Sequence, residues 1–439
     1  MPTKQLLPIT ITTMCLFGSI LCFELCAQPV FSEKCGNELL LNAYEKEYPG
    51  FKKVVEKTFN DIKDTKELES GRNDVYTIDV VFHVVWKDAA ENLHDSILEN
   101  QINLLNKDYR LQNENRFDIR SIFKDRQADA QIEFSLKDIK RVKTNSNFAL
   151  SLSGLPDNVK RSANGGSDAL NPEKHLNIWI CNIRPIPFIG GQILGYAYPP
   201  AGLSNWPDQS NAPSAGVDGV VLDFRIVGSN NPNKLVFQGS NYDSRGRTCT
   251  HEVGHYLGLR HIWGDGGGIF GGSSCDADDG MEDTPNQGEQ TGFSCDKTRN
   301  TCTDPSNDLP DMLENYMDYA DESCQNTFTK DQVSHMRKVL QNQRSGLVEN
   351  QVSSKAIHLE QLVHIFPNPF LSGFNIINEH KGEKIMVKVF NLMGTVVHQG
   401  SLLYGESSFI ECSKGGGIYP VLITTSSGST FTKYMIGLH

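Results

Sequence analysis

The chain has 439 residues, a net charge of −12 and a pI near 5.5, and it is longer than one ordinary domain. This acidic balance excludes nucleic acid as a general partner, because phosphate binding needs a basic surface. Hydrophobic residues make up 38% and charged residues 21% of the chain, which is typical of a folded globular protein.

The N-terminal stretch MPTKQLLPITITTMCLFGSILCFELCAQPV predicts a secretory leader. Lys4 gives a weakly positive start, an apolar run ends near Phe23, and the small residue Ala27 offers a cleavage point. We therefore expect a signal peptide over residues 1–27. A membrane anchor is the alternative, but the run is short and broken by Pro8. No later segment is long and apolar enough to span a bilayer, so we expect no transmembrane segment after signal removal.

Residues 28–73 predict a pro-segment. They are polar and charged, with one helical stretch, NELLLNAYEKEY, and too few apolar residues for a core of their own.

The region 74–346 alternates strand and helix patterns. VYTIDVVFHVVW is β-branched and aromatic and predicts a buried strand. DSILENQINLLNKDYRL predicts an amphipathic helix capped by Asp95 or Ser96. IEFSLKDI, LNIWICNI and DGVVLDFRIVGS predict three more strands, and GQILGYAYPP an irregular turn. The alternation predicts an α/β or α+β domain with helices packed on a twisted sheet.

Two further regions complete the chain. Residues 347–360 lack periodicity and predict a linker. Residues 361–439 contain the short alternating segments KIMVKVFNLMG, TVVHQGSL, GIYPVLITT and STFTKYMIGL, separated by Gly, Asn and Ser turns. Strands of this length and spacing predict a small all-β, sandwich-like domain.

The stretch THEVGHYLGLRHIWGD carries the clearest chemical signal. His251 and His255 are four residues apart, so a helix points both imidazoles at one ion, with Glu252 at the edge of the same site. Gly258 allows a sharp turn, after which His261 arrives from another direction. Three imidazoles leave one coordination position open, as a catalytic zinc needs.

This pattern resembles the metzincin metallopeptidases, whose extended motif H-E-x-x-H-x-x-G-x-x-H is filled completely. The downstream NYMDY stretch matches their methionine turn. The resemblance implies that Glu252 is the general base, that Met317 forms a hydrophobic floor beneath the zinc, and that Tyr319 stabilises the tetrahedral intermediate. The alternatives are a chance match and a structural or vestigial zinc site.

The segment from about Asp74 to Leu340 is similar to the pappalysin branch, on LNIWICNI, LGYAYPP, DGVVLDFR, HIWGD and the cysteine spacing. This resemblance implies a metzincin catalytic domain with a twisted, mostly parallel sheet and an active-site helix. It also implies the disulfides Cys275–Cys302 and Cys295–Cys324, although sequence alone permits three pairings of these four cysteines.

The acidic loop CDADDGMEDTPNQ suits calcium, because it clusters hard oxygen ligands. The resemblance implies one or two structural calcium ions, with Asp279 and Thr284 at matching offsets and Asp278 and Glu282 as further candidates. A solvated acidic loop is the alternative.

Cys35, in SEKCGNELL, stands at the head of the predicted pro-segment, and a thiolate is a good zinc ligand. Pappalysin-type zymogens use such a cysteine followed by glycine as a latency switch, which implies that Cys35 ligates zinc in the precursor. The alternatives are a disulfide or an unpaired thiol. Candidate disulfide partners are Cys181, Cys249 and Cys412.

Relatives in that branch favour a basic residue just after the scissile bond and bind it with an acid near the methionine turn. Asp321 and Glu322 are the candidates for that acid. Activation is expected by cleavage near Gly71–Arg72.

The C-terminal pieces IFPNPF, VFNLMG, GIYPVLI and KYMIGL resemble sorting domains of the type IX secretion system. The resemblance implies a secreted or cell-surface protein, exported through periplasm and outer membrane by that machinery, with a possible cut at Arg344–Ser345. An adhesion or carbohydrate module is the alternative.

Together these features predict a secreted zinc endopeptidase, made as a zymogen, that acts on protein and peptide substrates. An inactive, metal-stabilised binding or adhesion protein is the first alternative, but the intact Glu252 speaks against it. A zinc amidase is the second, and the third histidine and the methionine turn disfavour it.

Overall fold

The structure is a computed structural model that describes residues 32–65, 74–149, 157–185, 192–200, 215–237, 240–264, 274–306, 308–348, 362–380, 384–412, 416–426 and 430–438. The predicted signal peptide, the activation bond near Gly71–Arg72 and most of the predicted linker lie outside these residues.

Five helices and nineteen strands are found in the described ranges. In chain order they are β1 (Ser32–Cys35), α1 (Asn37–Glu47), α2 (Phe51–Asp64), β2 (Tyr76–Trp86), α3 (Asp95–Tyr109), β3 (Gln127–Ala128), β4 (Ile132–Lys143), β5 (Phe148–Ala149), β6 (Leu176–Cys181), β7 (Ile183–Arg184), β8 (Gln192–Ala197), β9 (Val220–Asp223), β10 (Val236–Phe237), β11 (Ser240–Asn241), α4 (Arg247–Tyr256), β12 (Phe328–Thr329), α5 (Lys330–Gln341), β13 (Val363–Phe366), β14 (Gly373–Asn378), β15 (Ile385–Phe390), β16 (Val396–Leu402), β17 (Ser407–Glu411), β18 (Gly417–Thr425) and β19 (Thr430–Gly437).

A six-stranded sheet in the order β1-β8-β9-β6-β2-β4 organises the first part of the chain. Every junction is parallel except that between β8 and β9. Strands buried on both faces explain why β6 and β9 are nearly continuous apolar runs. The predicted α/β class with a mostly parallel sheet is confirmed.

Alternate side chains of the central strands enter two apolar clusters on opposite faces. Val84 and Ile180 join the cluster that includes α3, α4 and α5, whereas Val85 and Trp179 join the other. Residues of α2 contribute to both clusters, and residues of α1 contribute to the second. Residues 32–65 therefore bury apolar side chains against the rest of the chain, as the composition of this segment predicts.

The prediction of an irregular turn at GQILGYAYPP is wrong, because this stretch forms β8, with all six residues buried. Gly195, which weakens the strand pattern, is needed there: a Cβ on it would lie 2.9 Å from the Cγ of Glu252. The cap of α3 also differs from the prediction. Its N-cap is His94, whose ring nitrogen accepts from the backbone N–H of Ser96.

The last seven strands form two antiparallel sheets, β13-β14-β17 and β16-β15-β18-β19. Alternating side chains of both sheets meet in one apolar cluster, which is separate from the two others. This arrangement confirms the predicted all-β C-terminal region, although three of its strands, β13, β14 and β17, were not predicted.

Within the described ranges, no helix combines the length and the apolar character that a membrane crossing requires.

Candidate active site

Helix α4 carries the first part of the motif, and every one of its residues is buried. The side chain of Glu322 caps its N-terminus, accepting from the backbone N–H groups of Arg245, Arg247 and Thr248 at 2.6, 3.0 and 2.8 Å. An anionic cap at this end also complements the helix dipole. The chain then turns at Gly258, whose φ of +94° lies in the left-handed region.

The three histidines of the motif converge on one point. The Nε2 atom of His255 lies 3.0 Å from Nε2 of His251 and 3.1 Å from Nε2 of His261. The other ring nitrogen of His251 donates to the carbonyl of Tyr316 at 2.7 Å, and that of His255 to the carbonyl of Leu259 at 2.8 Å. These bonds leave the Nε2 lone pairs directed at the common point.

This donor set fits zinc. Burial and the neighbouring imidazoles lower the pKa of His251 well below its ordinary value, so the neutral, metal-binding form is favoured. A sulfur joins the nitrogens, because Cys35 Sγ and one ring nitrogen from each histidine all lie within 4.8 Å of one another. Three histidines and one further ligand are the tetrahedral set that zinc prefers.

Glu252 lies beside the histidines and is fully buried. Its Oε2 is 3.3 Å from Cys35 Sγ, and its Oε1 has no hydrogen-bond partner among the described residues. Burial raises the pKa of this carboxyl well above its ordinary value. The side chain therefore occupies the position expected of a group that exchanges protons next to the metal.

The methionine turn lies directly beneath α4. A Cβ on Gly254, which stands between the first two histidines, would lie 2.5 Å from Met317 Sδ. Tyr319 packs against His261 with ring centroids 5.0 Å apart, and its hydroxyl donates to the carbonyl of Cys35 at 3.2 Å. The structure thus brings together all the predicted zinc, base and turn residues.

Two structural supports of the site were not predicted. Trp263 stacks on His261 at 4.3 Å with an interplanar angle of 5°, which fixes the ring of the third histidine. Asp108 of α3 accepts from the hydroxyls of Thr250 and Tyr316, both at 2.8 Å. Asp108 therefore ties the active-site helix to the methionine turn, a link between distant segments that leaves no local pattern in the sequence.

The cysteines pair as the pappalysin resemblance implies. Disulfides join Cys275 to Cys302 and Cys295 to Cys324, and they bracket the segment between the third histidine and the methionine turn. Among the described residues Cys35 takes part in no disulfide. Cys181, Cys249 and Cys412 are buried thiols, so the alternative of a disulfide from Cys35 is wrong for this structure.

The four candidate calcium ligands of the acidic loop differ in burial. Asp279 is buried, and its Oδ1 accepts from the Thr284 hydroxyl at 2.8 Å while its Oδ2 has no hydrogen-bond partner among the described residues. Burial raises the pKa of Asp279 to about 8. Asp278 and Glu282 are exposed. The structure therefore places Asp279 and Thr284 in direct contact and leaves Asp278 and Glu282 exposed.

The two acids suggested for substrate recognition are both engaged within the protein. Glu322 caps α4, and Asp321 accepts from the backbone N–H of Ser323 at 2.8 Å. Nearby, Gln325 is fully buried and accepts at its Oε1 from the Nζ of Lys34, 3.0 Å away. Neither Lys34 nor Gln325 was predicted, although Lys34 directly precedes the switch cysteine.

The suggested cut at Arg344–Ser345 does not agree with the structure. Arg344 is 5% exposed, and its guanidinium donates to the carbonyl of Tyr256 at 2.8 Å and to Asp218 Oδ1 at 2.9 Å. A protease needs an accessible, extended bond, so this bond is protected in the folded domain.

The sheet, the histidine triad and the methionine turn define a zinc metalloendopeptidase of the metzincin class. A family model described as pregnancy-associated plasma protein-A, peptidase M43, matches residues 165–341. A secretion system C-terminal sorting domain matches residues 364–437.

Curated relatives agree. An extracellular metalloprotease of Arthroderma benhamiae is 30% identical over 275 residues, which cover 62% of this chain and 74% of the relative. An extracellular metalloprotease of Arthroderma otae is also 30% identical, over 64% of this chain and 83% of the relative. The chain belongs to the pappalysin family of metallopeptidases, and its C-terminal region is a type IX sorting domain.

Solved structures show the same likeness. A promirolysin mutant of Tannerella forsythia has a TM-score of 0.58 and 33% identity, covering 72% of this chain and 97% of that one. Mature mirolysin of the same organism, in complex with a cleaved peptide, has a TM-score of 0.53 and 35% identity, covering 63% of this chain and 96% of that one. With the sorting domain and the extracellular relatives, these matches make the chain a secreted or cell-surface metalloprotease.

Proposed function

We propose that the chain is the zymogen of a secreted endopeptidase in which Glu252 activates the attacking water and a basic residue flanks the scissile bond. The observation that carries this proposal is the buried Glu252, with one carboxylate oxygen lacking a partner among the described residues, beside three converging imidazoles. An inactive binding protein would have no need to retain an unpaired carboxylate there, because burying it is costly.

His251, His255 and His261 would hold zinc, which supplies a Lewis acid that polarises the scissile carbonyl and lowers the pKa of a coordinated water. Glu252 accepts a proton from the attacking water and later transfers it to the leaving amine. Its close approach to Gly195 keeps the carboxylate next to strand β8. Tyr319 donates a hydrogen bond to the developing oxyanion.

Latency follows from Cys35. Its Sγ lies with the three imidazoles, at the metal position, and its backbone carbonyl accepts from the Tyr319 hydroxyl. One residue therefore both fills the metal position and engages Tyr319. The thiolate fills the position that water needs. Removal of residues 28–73, by cleavage near Gly71–Arg72, would open the site.

A preference for Arg or Lys just after the scissile bond is supported by the charge around the methionine turn. Asp318, Asp321 and Glu322 all attract the ammonium of Lys34, which is buried beside them. The carboxylates of Glu322 and Asp321 already accept from backbone N–H groups. They therefore attract a basic side chain through their electrostatic field and not through direct contact.

A calcium ion at Asp279 is supported by the buried Oδ2 atom, which is unpartnered among the described residues. The Thr284 hydroxyl, 2.8 Å from Oδ1 of the same carboxylate, is the second candidate ligand. A cation there would offset the cost of burying the carboxylate.

The proposed organisation is a signal peptide over 1–27, a pro-segment over 28–73, a catalytic domain over 74–346, a linker over 347–360 and a sorting domain over 361–439. The type IX machinery is the proposed export partner. The sorting-domain match over 364–437 supports the last of these regions and the proposed export partner.

The test uses mature enzyme and its Glu252→Gln variant on a proteome-derived peptide library, with and without chelator. We expect the parent to cleave before Arg or Lys, and the variant to keep one zinc per chain by mass spectrometry while losing at least about a thousandfold in kcat/KM. Chelation should abolish cleavage by the parent. Absence of zinc from the parent, or an intact peptide library, would overturn the proposal.

A further inference from the structure

Lys34 is the residue whose environment the proposed mechanism leaves unexplained. It is 0% exposed, although lysine is almost never fully buried unless it is paired. It belongs to the edge strand β1, which pairs with β8, and it directly precedes Cys35. Its side chain therefore enters the body of the protein immediately next to the residue that reaches the metal position.

The acceptor for this lysine is held in a fixed orientation. Gln325 Nε2 donates to the carbonyl of Asp318 at 2.6 Å, which turns Oε1 toward Lys34 Nζ at 3.0 Å. Gln325 is itself fully buried, so neither group exchanges its partner for bulk water. A hydrogen bond to a charged group in such surroundings is stronger than an ordinary one.

The surroundings of the ammonium are acidic. Burial lowers the pKa of Lys34, and the carboxylates of Glu322 and then Asp318 are the strongest influences that oppose this effect. Asp318 Oδ2 is buried and has no hydrogen-bond partner among the described residues. No carboxylate of the described residues forms an ion pair with Lys34, so the cation is stabilised by one direct acceptor and by the field of its neighbours. This combination accommodates a lysine or arginine side chain.

We propose that Lys34 is a second blocking residue, whose side chain fills the pocket for the basic substrate residue, with Gln325 as the acceptor in that pocket. Latency then rests on two contacts made by adjacent residues, a sulfur at the metal and an ammonium in the specificity pocket. The inference builds on the proposed function, and it assigns the recognition of the basic side chain to Gln325 and the acidic field around it.

The experiment measures binding of synthetic peptides spanning residues 32–48 to the mature Glu252→Gln protein by calorimetry, and inhibition of the active enzyme. Four peptides are compared, namely the parent, Lys34→Met, Lys34→Arg and Cys35→Ala. We expect Lys34→Met to weaken both binding and inhibition by about tenfold or more, and Lys34→Arg by less than about threefold. Equal binding of the Lys34→Met and parent peptides would overturn the proposal.

The same change in the full zymogen provides a second measurement. Lys34→Met should accelerate conversion to the mature enzyme, in the same direction as Cys35→Ala. Lys53→Met, which removes an exposed lysine of α2, is the matched control and should convert like the parent. If Lys34→Met converts no faster than this control, the lysine has only a structural role. A mature chain without zinc or peptidase activity would instead contradict the proposed function itself.

Discussion

Tyr319 is the residue whose catalytic role depends most on geometry. In this structure its hydroxyl donates to the carbonyl of Cys35, and its ring packs edge-on against both His261 and Trp263. When the cysteine leaves, the hydroxyl loses that acceptor while the ring keeps its packing. A phenol held in this way can donate to an oxyanion without a large rearrangement.

We therefore expect Tyr319→Phe to lower kcat of the mature enzyme by about 10²-fold, since one oxyanion donor is removed. KM and the zinc content should change little, because the ring and the three imidazoles remain. Steady-state kinetics on a peptide with a basic residue after the scissile bond gives both constants. A change confined to KM would assign Tyr319 to substrate binding instead.

The site residues divide according to how far apart they are in sequence. His251, Glu252, His255 and His261 could be predicted, because helical periodicity and one glycine turn fix their relative positions. The contact of Lys34 with Gln325 could not, since it joins residues 291 positions apart. The capping of α4 by Glu322 could not be predicted either, because it depends on the folded path of the chain. In the sequence, nothing distinguishes Glu322 from the other acids.

At the scale of elements, one aromatic side chain of α2 packs directly against α5. Phe59 lies between His335 of α5, at 4.6 Å between ring centroids, and the guanidinium of Arg260, at 3.7 Å. Arg260 also forms an ion pair with Glu56 at 2.7 Å. Burial beneath this helix, together with the charges of Lys338, Arg260 and Lys63, lowers the pKa of His335 to about 3.

This burial makes the stability of the zymogen depend on pH. The folded pKa of His335 is below its ordinary value, so the unfolded chain binds the extra proton, and the stabilisation is complete above about pH 6.5 and lost toward pH 3. Between pH 7 and pH 5 the loss should be about 2 kcal/mol. We expect His335→Gln to show a smaller drop in melting temperature over this interval than the parent. Parallel melting curves for the two proteins would contradict this prediction.

The acidic loop, with its proposed calcium ion, gives a second prediction at this scale. Calcium added to the metal-depleted protein should raise the melting temperature of the catalytic domain, because the ion neutralises the buried carboxylate of Asp279. Asp279→Asn should abolish most of this increase, whereas Asp278→Asn, at an exposed position, is the matched control. Differential scanning calorimetry across a calcium titration measures both. Equal responses from the two variants would place the ion elsewhere.

Strong periodicity allowed β2, α3, β4 and β6 to be predicted from the sequence. Strand β8 was missed because its glycines and short length match a turn, whereas its state is set by pairing with β1 and β9. Helix α5 was missed although Thr329 and Gln332 form a capping box at its start. The local sequence pattern is thus sufficient to predict long amphipathic elements. It is insufficient where pairing with neighbouring strands determines the structure.

At the scale of the whole molecule, the C-terminal sandwich has its own apolar cluster. A domain with an independent core can be removed without loss of packing in the catalytic domain. If this domain acts only as a sorting signal, its removal should change where the protein is located and leave the peptidase activity unchanged.

We expect a chain lacking residues 361–439 to stay inside a secretion-competent host, while its purified catalytic domain keeps kcat/KM within about twofold of the full chain. Cell fractionation with immunoblotting measures the first effect, and peptide hydrolysis the second. A reporter carrying a signal peptide and residues 361–439 is the control and should reach the medium. Export of the truncated chain would contradict the sorting role.

The place of β1 at the sheet margin has one more consequence. When the pro-segment departs, the backbone donors and acceptors of β8 that face β1 lose their strand partner. An extended polypeptide from any source can lie there and complete the ladder through main-chain contacts alone. Apart from the basic residue after the scissile bond, the mature enzyme would then hold an extended target mainly through its main chain.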